Sequence, residues 1–119
     1  AELGAALKIG KLTKVIRGGQ TRLESAYLGA CEASDEAKYL AVHDGARPLI
    51  TNEVIERTIL AAREHYAAVP VIPSTDTLKA VDAKGFVVGT VDRATTWRVQ
   101  TPQVFKADFI KGALTKAME

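Results

Sequence analysis

Residues 39–48 read Tyr-Leu-Ala-Val-His-Asp-Gly-Ala-Arg-Pro, YLAVHDGARP. The first half is an apolar run too short for a helix and suited to a strand buried on both faces. The second half interrupts it at once with an acid, a glycine, an arginine and a proline. A plain turn needs only the glycine or the proline, which leaves Asp44 and Arg47 to be explained. Pro48 biases Arg47 away from helical backbone angles and holds it extended. In open α/β sheets, ligands bind just beyond the carboxyl ends of the strands. Two readings therefore stand. One is a turn closed by an internal Asp44–Arg47 ion pair. The other is a ligand-facing edge, with Asp44 offering a carboxylate to a hydroxyl or metal-linked group and Arg47 a guanidinium to a phosphate.

Outward from that stretch, the periodicity alternates between strand and helix. Residues 1–7 read as helix and TKVIR, residues 13–17, as a short strand running into Gly18 and Gly19. Leu23, Ala26, Tyr27, Ala30 and Cys31 recur at helical spacing and predict a helix over residues 21–33. Thr51 can cap a second helix whose apolar face (Val54, Ile55, Thr58, Ile59, Ala62) runs to Glu64. Residues 67–72 read as a further strand. Strand, helix, strand, helix, strand predicts a parallel α/β sheet with right-handed crossovers. After Pro73 the rhythm changes. Residues 77–81 and 86–91 are β-rich runs joined by Asp-Ala-Lys-Gly, which is a hairpin. Isolated two-stranded hairpins are marginal in water, so this one needs support from its own domain or a second subunit. A helix over residues 109–118, with Asp108 at its start, closes the chain.

Length and composition narrow the function classes. A chain of 119 residues is one domain or part of one, and at 47% hydrophobic it can bury a core. The net charge of +2 is scattered, without a basic stripe and interleaved aromatics, which argues against nucleic acid as a partner. No apolar run approaches the ~20 residues that span a bilayer, so no membrane partner is expected. Cys31 is the single cysteine, so no intramolecular disulfide forms and the chain suits a reducing compartment. Two histidines without a cysteine cluster make no zinc site, and Ser25 sits in no nucleophile elbow. An enzyme of this composition works by positioning and charge, which is what transfer of a nucleotidyl group to a phosphate needs.

Two further stretches carry candidate chemistry. In RGGQTRLES, residues 17–25, a glycine pair precedes a helix start. Its successive N–H groups can receive a phosphate or the polar edge of a base, although taken alone the stretch reads first as a plain strand-to-helix turn, with no Walker or dinucleotide spacing present. DTLK (76–79), TVDR (90–93) and WRVQTPQVF (97–105) flank the hairpin. Thr77, Arg93 and Thr101 can together hold a phosphate; cross-strand pairing is the alternative. Trp97 and Phe105 read as core.

Taken in order, GGxxRxxS (Gly18, Gly19, Arg22, Ser25), VHDGARP (42–48), DTLK, TVDR and W…QTPQ.F resemble the 2-C-methyl-D-erythritol 4-phosphate cytidylyltransferases of the non-mevalonate isoprenoid pathway. The resemblance runs from about Lys14 to the C-terminus. It implies an α/β fold: a Rossmann-like nucleotidyltransferase sheet with helices on both faces and a protruding β-hairpin arm over residues 76–93, the whole being part of a single nucleotidyltransferase domain. It implies CTP and a sugar-alcohol phosphate as substrates, Mg2+ bound mainly through the CTP phosphates, and a homodimer in which each arm reaches the other subunit's site. It implies that Gly18, Gly19, Gln20 and Ser25 recognise the cytosine, and that Asp44 and Arg47 line the pocket between ribose and sugar phosphate. Thr77 and Arg93 would grip the sugar phosphate from the neighbouring subunit, Thr101 would complete that grip, and Arg93 would align the attacking phosphate. The bacterial cytoplasm or the plastid stroma follows as the compartment. The family's N-terminal glycine-rich loop, with its Arg and Lys, and a C-terminal Lys have no counterpart in residues 1–119, so these residues alone are expected to be inactive. The rival readings are a ribitol-5-phosphate cytidylyltransferase and a non-catalytic nucleotide-binding module.

Overall fold

The computed structural model describes Leu7 and residues 9–119, so the helix expected over residues 1–7 falls almost wholly outside the described residues. By its contacts the chain forms two compact units, residues 1–38 with 107–119, and residues 39–106.

In the first unit, α1 (Arg22–Cys31) starts where Thr21 turns extended and its side chain accepts from the Glu24 N–H at 3.1 Å. The Glu24 carboxylate reaches back to the Gln20 N–H at 2.6 Å, so Thr21 satisfies one of the backbone donors that a helix start leaves open and Glu24 ties down the residue before the cap. At the other end of the sequence, α3 (Ala107–Met118) packs on α1 around Ala30, Ala107 and Leu114, all buried. Lys111 joins the pair by donating to the Ala33 carbonyl at 3.4 Å.

The second unit holds β1 (Tyr39–Val42), α2 (Asn52–His65), β2 (Ala67–Ala68), β3 (Val71–Pro73), β4 (Leu78–Val81), β5 (Val87–Val91), β6 (Trp97–Val99) and β7 (Gln103–Lys106). Thr51 caps α2 as its position predicts. Strand β7 is central: it pairs antiparallel with β1, from Tyr39 opposite Lys106 to Val42 opposite Gln103, and antiparallel with β2, Ala67 opposite Phe105. Strands β1 and β2 are therefore parallel to each other, as a β–α–β crossover requires. The all-parallel sheet expected from the rhythm is corrected: β7 lies between the two parallel-running strands, and every neighbouring pair in the sheet is antiparallel. Helix α2 packs on β2 and β7. Val104 is 1% exposed and Ala62 fully buried; enclosing a valine side chain contributes about 1.5–3 kcal/mol.

Three local expectations are corrected. TKVIR forms no strand, because β propensity without a paired neighbour leaves the ladder groups unsatisfied. The run over residues 67–72 divides at Val69-Pro70: β2 joins β7, whereas β3 joins β6, Val71 opposite Val99. Pro70 has no N–H to give to a ladder, and its carbonyl accepts from Gln100 N at 2.8 Å instead. Trp97 is 51% exposed rather than core, because a two-stranded ribbon offers a side chain no second layer.

The hairpin is present as β4 and β5. Asp82 organises its turn, accepting on Oδ1 from the N–H groups of Lys84 and Phe86, both at 2.9 Å. Gly85 takes the left-handed φ of 86° there, which glycine adopts without a Cβ penalty. Val81, Phe86, Val87 and Val88 are all exposed along this arm. Among the described residues no helix is long and apolar enough to cross a membrane.

Candidate functional site

The loop that leaves β1 is tied down by short-range and long-range bonds together. The Arg47 N–H donates to the Asp44 carbonyl at 3.0 Å, which makes the turn that the glycine and proline suggest. Arg47 Nε donates to Asp44 Oδ2 at 3.2 Å, and Arg47 Nη1 donates to Gln100 Oε1. The Asp44 N–H crosses to Thr101 Oγ1 at 3.2 Å. Thr101 Oγ1 lies 2.9 Å from His43 Nδ1, and His43 Nε2 lies 3.0 Å from the Arg47 carbonyl. The internal ion pair is thus real, yet its side chains keep 44% and 35% of their surface in solvent. An exposed pair contributes only about 0–1 kcal/mol. Exchanging one partner for a ligand phosphate therefore costs little, and a guanidinium carries more donors than these bonds use. Turn and ligand edge are compatible here.

Beside this loop lies a cleft of about 470 Å³, bordered by Arg47, Leu49, Val54, Ile72, Gln100 and Thr101. That is within the range of small-ligand sites, roughly 300–1,000 Å³. Leu49 is 93% exposed at its rim.

The glycine pair belongs to the other unit and uses its donors at home. Gly19 N donates to Ser25 Oγ at 3.0 Å, Ser25 Oγ donates to the Thr21 carbonyl at 2.9 Å, and Gln20 N goes to Glu24. The N–H groups of Gly19 and Gln20, expected to meet a base or phosphate, are committed to side chains of α1 in this state. A hydroxyl has two acceptor lone pairs, and these bonds use one of Ser25's. Gly19 is required by space: a Cβ there would meet Glu24 side-chain carbons at 2.2–2.5 Å. On the same helix, the hydrogen bond to Cys31 and the charge beside it hold the Tyr27 phenol above its ordinary pKa.

Thr77 and Arg93 stand on opposite strands' ends at the base of the arm, one residue before Leu78 and two after Val91 of its terminal pair. Both are exposed. Arg93 Nη1 reaches the Thr75 carbonyl at 3.4 Å, and Asp92 accepts from Ala94 N, Thr95 Oγ1 and Thr96 Oγ1, which shapes the turn into β6. Thr101 does not join them in the way the sequence suggests. It is 4% exposed and its hydroxyl is engaged with His43 and Asp44, so any hold on a phosphate runs through the loop it supports. His43 and Gln100 were missing from the candidate set. Both stand inside the motifs already singled out, one residue from Asp44 and from Thr101, and that adjacency was the available signal.

The family model described as IspD, 2-C-methyl-D-erythritol 4-phosphate cytidylyltransferase, matches residues 1–119. A relative of that name from Caldanaerobacter subterraneus is 42% identical over 106 residues, 89% of this chain and 47% of its own. Among solved structures, 4-diphosphocytidyl-2C-methyl-D-erythritol synthase from Anaerococcus prevotii superposes with a TM-score of 0.81 at 27% identity, over 98% of this chain and 56% of that one. The 2-C-methyl-D-erythritol 4-phosphate cytidylyltransferase from Thermus thermophilus gives 0.75 at 35% identity, over 87% and 49%. The fold is accordingly the Rossmann-like α/β nucleotidyltransferase fold. The chain spans about half the length of the curated relatives it matches, 47% and 50% for two of them.

Proposed function

The chain belongs to the 2-C-methyl-D-erythritol 4-phosphate cytidylyltransferase family, and on that premise we propose that the intact protein joins CTP to 2-C-methyl-D-erythritol 4-phosphate. An oxygen of the sugar phosphate attacks the α-phosphorus of CTP. The new P–O bond forms as the bond to the β-phosphate breaks, giving 4-diphosphocytidyl-2-C-methyl-D-erythritol and pyrophosphate. The observation that carries this reading is the loop after β1, where a half-exposed Asp44–Arg47 pair is braced by Gln100 and Thr101 at the edge of a ligand-sized cleft.

In this reading both units are parts of one nucleotidyltransferase domain. Gly18, Gly19, Gln20 and Ser25 form the cytosine side, and Asp44 and Arg47 lie between ribose and sugar phosphate. Thr77 and Arg93 hold the methylerythritol phosphate, with Arg93 aligning the attacking oxygen. Thr101 contributes from behind the loop. Catalysis is then positioning and electrostatic stabilisation of the transferring group. Mg2+ commonly takes one or two carboxylates together with substrate phosphates. Among the described residues no cluster of three or more acids, histidines or cysteines makes a protein cage, and Asp44 is the carboxylate at the loop. That donor set fits a metal carried on the triphosphate, where it would neutralise phosphate charge.

The arm supports a homodimer in this proposal. A two-stranded ribbon with exposed Val81, Phe86, Val87 and Val88 gains from a partner's surface. The compartment proposed is the bacterial cytoplasm or a plastid stroma, in keeping with the lone Cys31.

The test is a comparison of kcat/KM for 2-C-methyl-D-erythritol 4-phosphate and ribitol 5-phosphate, with CTP, on the intact protein. Preference for the methylerythritol substrate supports the proposal. Preference for ribitol phosphate transfers the assignment to the sister activity, and CTP binding without turnover of either makes the protein a binding module.

A further inference from the structure

We infer that His43 is a positioning residue for the Asp44–Arg47 loop, acting through the Thr101 hydroxyl on one side and the Arg47 carbonyl on the other; its kinetic consequence rests on the function proposed above. The bonding inventory leads there. A threonine hydroxyl has one proton to give and two lone pairs. One lone pair of Thr101 Oγ1 accepts the Asp44 N–H at 3.2 Å. The hydroxyl is in a residue only 4% exposed, and the acceptor beside it is His43 Nδ1 at 2.9 Å. Donation from Oγ1 to Nδ1 puts the ring proton on Nε2, and Nε2 then donates to the Arg47 carbonyl at 3.0 Å.

The result is a closed circuit: Asp44 N–H to Thr101, Thr101 to His43, His43 to the Arg47 carbonyl, and Arg47 back to Asp44 through both backbone and side chain. Every residue between Asp44 and Arg47 is spanned by it. Thr101 is buried and stands two residues before β7, the central strand, so the circuit fastens an exposed loop to the entry of that strand. His43 is itself exposed at the loop and touches neither the Asp44 carboxylate nor the Arg47 guanidinium in the bonds described. Its effect on them runs through the backbone. Displacing a substrate-holding group by ~1 Å can cost about 100-fold in rate, so such a brace matters out of proportion to its own bond energies.

The experiment uses the intact protein with His43→Phe, which keeps a ring and removes both nitrogens, and with Thr101→Val and Thr101→Ser. Each of His43→Phe and Thr101→Val is expected to lower kcat/KM about 10- to 100-fold. The double variant should lose about as much as either alone, because residues acting as one unit are not additive. Thr101→Ser, which keeps the hydroxyl, should retain most of the activity and guards against a folding artefact. Losses that multiply in the double variant overturn the inference. Nitrogen-15 spectra of His43 and exchange of the Asp44 amide need no substrate. The wiring requires the Nε2–H tautomer, and faster Asp44 exchange in both His43→Phe and Thr101→Val. A ring proton on Nδ1, or unchanged exchange, overturns it even in a protein that transfers no cytidylyl group.

Discussion

Replacing Gly19 with alanine probes the close approach of the glycine pair to α1. The added Cβ would lie 2.2 Å from Glu24 Cγ, 2.4 Å from Cδ and 2.5 Å from Cβ. Swinging the Glu24 carboxylate aside clears the outer carbons, but Cβ is fixed to the first turn of the helix. The segment before the helix must therefore withdraw. That movement breaks the bonds from Gly19 N to Ser25 Oγ and from Gln20 N to Glu24. At about 0.5–1.5 kcal/mol for each hydrogen bond, the loss is about 1–3 kcal/mol. In a protein of roughly 150–250 residues each kcal/mol moves Tm by about 2–4 °C, so the expected fall is about 2–12 °C. Gly29 is the internal control. It lies inside α1 with nothing within 4 Å of an added Cβ, and Gly29→Ala should stabilise by about 0.5–1 kcal/mol because mid-helix glycine is unfavourable. Scanning calorimetry of both variants of the intact protein reads the two signs, and a CTP titration by isothermal calorimetry accompanies it. A Gly19→Ala protein that melts at or above the wild type refutes the close approach, and one that destabilises yet binds CTP unchanged refutes the cytosine-side role.

Three other outcomes are expected. Arg93→Ala should lower kcat about 100- to 1,000-fold, as loss of a transition-state donor does. Its exposed side chain makes one long bond, to the Thr75 carbonyl, so chemical denaturation should shift by no more than about 0.5 kcal/mol; unchanged kinetics would remove Arg93 from the site. Mixing Arg93→Ala with Asp44→Ala subunits should restore about a quarter of wild-type activity, since half of the exchanged dimers carry one intact site of two. No recovery after subunit exchange is verified by mass spectrometry would mean that the arm serves its own subunit. Gln100→Ala should remove one of the two described bonds that hold the Arg47 guanidinium and lower kcat/KM about fivefold, the equivalent of roughly 1 kcal/mol from one hydrogen bond, with Tm little changed; steady-state kinetics in both substrates measures this.

Local signals in the chain were enough for the helices and the arm. Thr21 and Thr51 are capping residues in front of apolar helical spacing, and α1 and α2 begin directly after them. Asp82 and Gly85 are the turn residues of the arm, and both serve there as the physics of turns requires. Where the sequence misled, distant pairing was the cause. Val15 and Ile16 have strand propensity but the structure pairs them with no strand among the described residues. Val104 stands in a short apolar stretch that gave no sign of becoming the middle of the sheet, because a strand's direction and neighbours depend on where β1 and β2 arrive. Thr101 reads by its motif as part of a phosphate grip, and its bonds to His43 and Asp44 depend on segments far away in the chain.

The sequence by itself determined the family, the crossover of β1 and β2, the hairpin arm and the loop that carries Asp44 and Arg47. These depend on periodicity, capping and turn chemistry within a few residues, or on ordered motifs. Only the tertiary structure decided that β7 runs antiparallel between β1 and β2, that Trp97 is open to solvent, and that the Asp44–Arg47 pair is braced by Gln100, Thr101 and His43. Thr101 is 57 residues from Asp44 along the chain. A hydrogen bond over that separation exists only once the sheet has brought the two segments into register, and no local pattern encodes it.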